Sequence, residues 1–425
     1  MSNFYLCLLL AGLCVLASCH HVPGHQGGHD GHEHPPDNQP TAESHQESDH
    51  LPCLKIAPSS AEFAFKFYRQ IASKTPDKNI FFSPMSISTA FMLVTLGAKG
   101  TTRDQIVSGI GFNKSVLSME EMGNGFRHLL QLLNHPSAHH GGLSVGNALF
   151  STDRYPVQQK FMDEAHDLLQ ADIVPTNFQN TEEAMKHINS YIEKKTHGKL
   201  VDVLNDLDPE TAIVLVNYIF MQGYWQRPFN PMFTEKEDFF VNNETTVQVD
   251  MMHRTGYYSN YHDEELGCKV LRIPYQGSAS ALFILPKEGK LKQVEQALGR
   301  EHLLKWEAGA REWLIELSLP KVSLKTSIDV KEIFQEMGVT EVFTDQADLS
   351  GFTEQRNLKI SRAVHKGYLN IHENGTEAAA TTVIEGVPMS LPRVFKFNRP
   401  FLFMIVEHFT RAILFCGKLM NPNEH

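Results

Sequence analysis

Two stretches of the chain concentrate residue types with chemistry of their own. Between His20 and His50 lie eight histidines (20, 21, 25, 29, 32, 34, 45 and 50). Four of them, His25, His29, His32 and His34, are flanked by Asp30 and Glu33, a donor set and spacing that suit Zn, Cu or Ni. The alternatives are a solvated tail of weak metal affinity, or one that gains charge as pH falls through about 6.5. Near the other end, Gly375-Thr376-Glu377-Ala378-Ala379-Ala380-Thr381-Thr382 is a run of small residues, followed at a short interval by Pro388-Met389-Ser390. If extended, this run puts Thr376, Ala378, Ala380 and Thr382 on one face, all small enough to slide beneath a packed layer, with Glu377 toward water. It reads as a strand without a sheet, against the plainer reading of a flexible surface loop.

Recognisable catalytic motifs are missing. There is no glycine-rich phosphate loop, no G-x-S-x-G elbow and no H-E-x-x-H pair, and His32-Glu33-His34 is too tightly spaced for the last of these. The expectation is a protein that is not an enzyme. The formal charge is -11, of which six acids, with no Lys or Arg, fall between His20 and His50, leaving -5 for the rest. Nothing in that balance calls for nucleic acid.

The elements that must position these residues follow from hydropathy. Residues 1–19 form an apolar run ending in Ala17 and Ser18, which reads as a signal peptide, although Leu16-Ala17-Ser18-Cys19 also fits a lipoprotein cleavage box with Cys19 lipidated. No later segment has about 20 uncharged apolar residues, so no membrane span is expected. Residues 20–53 hold almost nothing large and apolar and are expected to be a disordered extension, leaving 54–425 as one large domain. Order is expected from Ser59, which has capping-box spacing to Glu62, and Phe63, Phe67 and Ile71 then share one helix face. Residues 213–220 are apolar on both parities, as in a strand covered on both faces, and Asn217 in the middle of it requires a buried partner. The runs 401–406 and 412–416 have the spacing of a hairpin. Beyond the leader the cysteines are Cys53, Cys268 and Cys416. Three scattered thiols are no disulfide framework; Cys416 reads as a buried thiol, and pairing of Cys53 with Cys268 stays open.

The small-residue run resembles the hinge of the reactive-centre loop of inhibitory serpins, and Pro388-Met389-Ser390 is similar to the bait bond of the alpha-1-antitrypsin type. Phe397-Asn398-Arg399-Pro400-Phe401 resembles the family's C-terminal signature. Asn217-Tyr218-Ile219-Phe220 with Gly223, Trp225 and Phe229 resembles its strand and breach, and Asn79-Ile80-Phe81-Phe82-Ser83-Pro84 with Ser86 its shutter. The resemblance implies a mixed α/β serpin fold of three β-sheets and eight to nine helices, with an exposed loop at about 373–394 whose hinge begins at Glu373. It implies that His365 joins Ser83, Ser86 and Asn217 in one buried cluster. It implies a secreted, monomeric inhibitor that needs no cofactor and is attacked at Met389. An unbranched apolar residue there suits the primary pocket of elastase-like or chymotrypsin-like serine proteases. A non-inhibitory carrier of hydrophobic ligands, or a metal-binding storage or plasma protein, is the rival reading. Asn113, Asn243 and Asn374 head glycosylation sequons, the last one inside the hinge and outside the family pattern.

Overall fold

In a computed structural model of the chain, residues 51–134, 143–221, 223–355, 358–375 and 391–424 are described. The first half holds α1 (Pro52–Lys74), β1 (Ile80–Phe82), α2 (Pro84–Gly97), α3 (Gly100–Gly109), α4 (Met119–Leu133), β2 (Leu143–Thr152), α5 (Gln159–Leu169), β3 (Asp172–Thr176), α6 (Thr181–Lys195) and β4 (Ile213–Met221). Next come β5 (Glu235–Phe240), β6 (Thr246–Asp263), β7 (Cys268–Pro274), β8 (Ala279–Pro286), α7 (Leu291–Ala297) and α8 (Arg300–Gly309). The last part holds β9 (Arg311–Pro320), β10 (Val322–Asp329), α9 (Val330–Glu336), β11 (Ile360–Ile371), β12 (Arg393–Lys396), β13 (Phe401–Glu407) and β14 (Ile413–Leu419).

The strands form two hydrogen-bonded sheets among the described residues. One runs β10-β11-β4-β2-β3; the other runs β1-β14-β13-β8-β7-β6-β9-β12, with β5 also on β6. The three expected sheets become two paths because β6, 18 residues long, is shared: it pairs β5 through Met251, β9 from Met251 to Asn260, and β7 from Ser259 onward.

Strand β4 shows how the five-stranded sheet is held. All nine of its residues are buried. Ile213, Leu215 and Ile219 enter the large core, whereas Val214, Val216 and Tyr218 pack in a smaller core with Ile188 and Ile192 of α6. The period of two thus sends alternate side chains to two different layers, as the double-parity apolar pattern requires. Asn217 lies on the parity that faces the large core. Helix α2 belongs to that core and is buried almost all round, so its first N–H groups are out of reach of water and need protein partners.

Helix α1 departs from expectation. It starts at Pro52, seven residues before Ser59, and runs through Pro58 without ending. The cause is packing against α4, where Gly125 lets Ile56 and the Pro52 carbonyl approach so closely that a Cβ would stand 2.5 and 3.0 Å from them. Tertiary contact outweighs the local cap signal, and Leu51 to Cys53 belong with the ordered body. Phe63 and Phe67 are buried on one face as expected, with Ile71 half-buried beside them. The C-terminal hairpin forms as β13 and β14, which pair antiparallel. Phe397 and Phe401 pack ring to ring at 5.2 Å, and Phe397 meets Phe283 at 5.7 Å. Cys53, Cys268 and Cys416 are buried free thiols, so Cys53 and Cys268 do not pair.

Candidate functional site

The buried cluster forms from three residues in a row across three strands. The parallel register sets His365 of β11 beside Asn217 of β4, and the antiparallel register sets Asn217 beside Asn147 of β2. All three face the start of α2. His365 Nδ1 lies 2.6 Å from Asn217 Oδ1, and Asn217 Nδ2 donates to Ser86 Oγ at 2.5 Å, to Asn147 Oδ1 at 2.7 Å and to the Gly146 carbonyl at 3.3 Å. The Ser83 N–H donates to His365 Nε2 at 3.1 Å, and the Ser86 N–H donates to Ser83 Oγ at 3.2 Å. Because Asn217 Oδ1 can only accept and the Ser83 N–H can only donate, the imidazole must carry its proton on Nδ1 and be neutral. Complete burial enforces the same state, holding the His365 pKa down to about 3.

The cluster links β11 to β4, a parallel pair in the interior of this sheet. β11 and β4 are paired directly from Ile360–Ile213 to Tyr368–Phe220. A satisfied buried network of this kind fixes alignment and position rather than doing chemistry. Ser83, Ser86, Asn217 and His365 come together as the resemblance implied. Asn147 was missed, although it is a polar residue amid an apolar strand, the same signal that marked Asn217.

At the end of β11 the chain meets a second constellation. Trp225, fully buried, stacks on Tyr275 with ring centroids 4.3 Å apart and donates from Nε1 to the His372 carbonyl at 2.9 Å. The Trp225 N–H donates to the Asn374 carbonyl at 2.9 Å, and the Phe229 N–H to the Glu373 carbonyl at 2.7 Å. Gly375 has φ +108°, and a Cβ there would lie 2.0 Å from the Gly223 carbonyl oxygen and 2.6 Å from the Trp225 nitrogen. Only glycine fits, through both the backbone angle and the close approach.

The Glu373 carboxylate is buried and receives Thr234 Oγ1 at 2.9 Å and Lys321 Nζ at 3.0 Å. Burial pushes this carboxyl up, but its own backbone N–H, Lys321 and Thr234 outweigh burial and hold it below the usual carboxylate range. Thr234, Lys321 and Tyr275 were not legible in the sequence: Lys321 is 52 residues from Glu373, and no spacing rule connects them.

Glu373 and Gly375 therefore belong to a built site. The remaining hinge residues Thr376, Glu377, Ala378, Ala379, Ala380, Thr381 and Thr382, and the pair Met389-Ser390, lie outside the described residues, as do His25, His29, His32 and His34. The chain is described again from Leu391 and enters the nine-stranded sheet as β12, parallel to β9. Asn113 and Asn243 are exposed, whereas Asn374 is half-buried between Glu373 and Gly375. No helix among the described residues is long and apolar enough to cross a membrane.

Residues 58–422 match the family described as Serpin (serine protease inhibitor). The chain is 43% identical over 417 residues to the alpha-1-antiproteinase of Callosciurus caniceps and 42% identical over 417 residues to the alpha-1-antitrypsin of Sus scrofa, covering 98% of both chains in each case. Among solved structures it is similar to human thyroxine-binding globulin complexed with thyroxine (TM-score 0.83, 40% identity, 88% of this chain and all of that one). It is also similar to human glycosylated kallistatin (TM-score 0.82, 40% identity, 88% of this chain and all of that one). The family match spans the buried cluster, the Trp225 constellation and the strands that leave and re-enter around residues 376–390, and the chain belongs to the serpin family.

Proposed function

We propose that the chain is a suicide-substrate inhibitor of serine proteases, with Met389-Ser390 as the bait bond. The observation that carries this reading is the anchorage of Glu373 and Gly375 at the end of β11, the strand paired in parallel with β4, immediately before the small-residue run in the sequence. The protease serine oxygen adds to the Met389 carbonyl, the C–N bond to Ser390 breaks, and the new amine of Ser390 takes its proton from the protease histidine. The freed hinge then inserts between β11 and β4, carrying the acylated protease with it. Small side chains at Thr376, Ala378, Ala380 and Thr382 let this face pass above the core.

Met389 directs the bond toward elastase-like or chymotrypsin-like enzymes. Secretion as a monomer through residues 1–19, sugar on Asn113 and Asn243, and a metal-binding tail at residues 20–50 belong to the same reading; no cofactor is required for inhibition. The test is incubation with neutrophil elastase and with chymotrypsin, followed by denaturing electrophoresis and mass spectrometry. The expected result is a denaturation-resistant complex with a released peptide beginning at Ser390. Clean cleavage without complex overturns the reading.

A second reading has one observation of its own. A cavity of about 380 Å³ lies between α1, α8 and the strands β7, β8 and β13, with Leu54, Leu282 and Leu303 among its apolar walls and Arg272, Arg300, Arg411, Glu307 and Glu407 at its polar side. Its size and lining suit an amphipathic small molecule. Carriage of such a ligand is compatible with inhibition, and equilibrium dialysis with a fluorescent fatty acid or aromatic acid tests it.

A further inference from the structure

A second cavity, also of about 380 Å³, lies where the tip of the β5–β6 hairpin meets the β8–α7 and β12–β13 connections. Its walls are mostly apolar, with Phe240, Pro286, Leu291 and Pro400 among them, and Asn243 stands in its lining. An apolar concavity of this size with a few polar groups has the make-up of a small-molecule site. Phe240 is 46% exposed, an aromatic ring left open to solvent at the cavity wall.

The hairpin tip that carries Asn243 is held in place. Asn242 Oδ1 accepts from the Glu244 N–H at 2.9 Å and from the Thr245 N–H at 2.8 Å, and the Val241 N–H donates to the Thr245 carbonyl at 3.0 Å. The Phe240 N–H donates to the Asn398 carbonyl at 2.8 Å, which fixes the tip to the connection that forms another wall. Asn243, exposed at the head of the sequon Asn243-Glu244-Thr245, thus sets anything joined to it at the cavity's edge.

Charge and hydrogen bonding decide what fits. Lys287 Nζ is bound to the Glu264 carboxylate at 2.7 Å, and Glu288 interacts with Arg399, so a charged ligand would be buried without a partner. Arg399 nonetheless has a donor to spare: Nη2 donates to the Pro286 carbonyl at 3.0 Å, but Nε has no acceptor among the described residues. A guanidinium offers donors only, so the complementary ligand is neutral and brings acceptors. An N-acetylated sugar is of that kind, since its carbonyl and hydroxyl oxygens accept while the C–H face of its ring packs on an aromatic side chain.

We infer that this cavity receives the sugar carried by Asn243, the innermost N-acetylglucosamine folding back over Phe240 with its acetamide turned toward Arg399. The inference rests on the reading that Asn243 is glycosylated and adds to it a receptor within the same chain. Tethering supplies the affinity that a free monosaccharide lacks, because a short link holds the ligand at an effective concentration of about millimolar. The docked sugar ties the hairpin to the β8–α7 and β12–β13 connections.

The experiment uses the full-length protein secreted from mammalian cells, with the sugar on Asn113, exposed in the α3–α4 connection, as an internal comparison. Release of each glycan by peptide N-glycosidase F is followed by peptide mapping, in the native and in the denatured protein. The expected result is release from Asn243 about tenfold slower than from Asn113 in the native protein and equal release after denaturation, with Phe240→Ser removing most of the difference. In the parent, carbon-13 labelling of the glycans is expected to show ring C–H protons of the Asn243 sugar shifted upfield by the Phe240 ring. Equal native release rates without an upfield shift overturn the docked sugar while leaving glycosylation standing, and so does a slow rate that Phe240→Ser does not change. A bare Asn243 overturns the glycosylation reading and the docked sugar together. Thermal unfolding of deglycosylated Phe240→Ser, expected to match the deglycosylated parent because the ring is then exposed, separates lost docking from lost fold.

Discussion

The two constellations along β11 hold the same strand by different physics. The cluster around His365 is neutral, wholly buried and made of hydrogen bonds that have no aqueous competitor. The site around Trp225 and Glu373 combines a stacked ring pair, main-chain hydrogen bonds and one ion pair whose lysine is 37% exposed. The first is therefore insensitive to salt and vulnerable to protons, and the second is weakened by both. The strand is locked in its middle by groups that must not ionise and tethered at its end by a group that must.

The largest expected effect comes from placing charge immediately past the tether. Thr376→Arg requires a guanidinium to pass above the core during insertion, at a cost of at least several kcal/mol, comparable with the whole stability of a domain. The expected outcome is near-total loss of stable complex on denaturing gels with cleavage retained, so that the inhibitor becomes a substrate. Next is His365→Ala, which strands Asn217 Oδ1 and the Ser83 N–H without partners in the core. At about 1–3 kcal/mol for each orphaned group, a drop of roughly 2–6 kcal/mol is expected, read by urea unfolding at pH 7.

Acid sharpens the comparison. His365 titrates near 6.5 when unfolded and near 3 when folded, so the unfolded state takes up the proton first. Stability is lost as pH falls from about 6.5 toward 3, with a slope approaching 1.4 kcal/mol per pH unit, and His365→Gln is expected to flatten it. Glu373, held below its ordinary 4.5, contributes stability that is present above that value and is lost as pH falls further, so its window opens about two units lower. Urea midpoints measured at successive pH values separate the two. The smallest effect is expected from Glu373→Gln at pH 7, roughly 1–2 kcal/mol because the lysine is partly solvated. That loss shrinks in 0.5 M salt, where the parent's ion pair is itself weakened, whereas the effect of His365→Ala does not change.

How much of this was legible in the sequence follows from how local each signal is. The doubly apolar strand around Asn217, the C-terminal hairpin and the buried Cys416 could be read because period and polarity are properties of a few neighbouring residues. The need of Asn217 for a partner was visible too, but the partner's identity was supplied by family likeness, since nothing local joins residues 148 positions apart. Asn147 carried the same polar-in-apolar mark and was passed over. Lys321 and Thr234 carried none: each is an ordinary surface residue type until folding brings Glu373 to it. The start of α1 was misplaced because Ser59 and Glu62 imitate a helix cap, while the contact that extends the helix back to Pro52 depends on Gly125, 73 residues further along the chain.

The direct pairing of β11 with β4 sets a clock. Under the inhibitor reading, the seam between them is what an incoming strand must open, whether a protease is attached to the loop or not. The storage lifetime of the unreacted molecule and the speed with which a captured enzyme is immobilised are then governed by one barrier. A substitution that tightens the seam lengthens the first and slows the second, giving the acylated enzyme longer to hydrolyse itself free. Durability and efficiency pull against each other at the same row of hydrogen bonds.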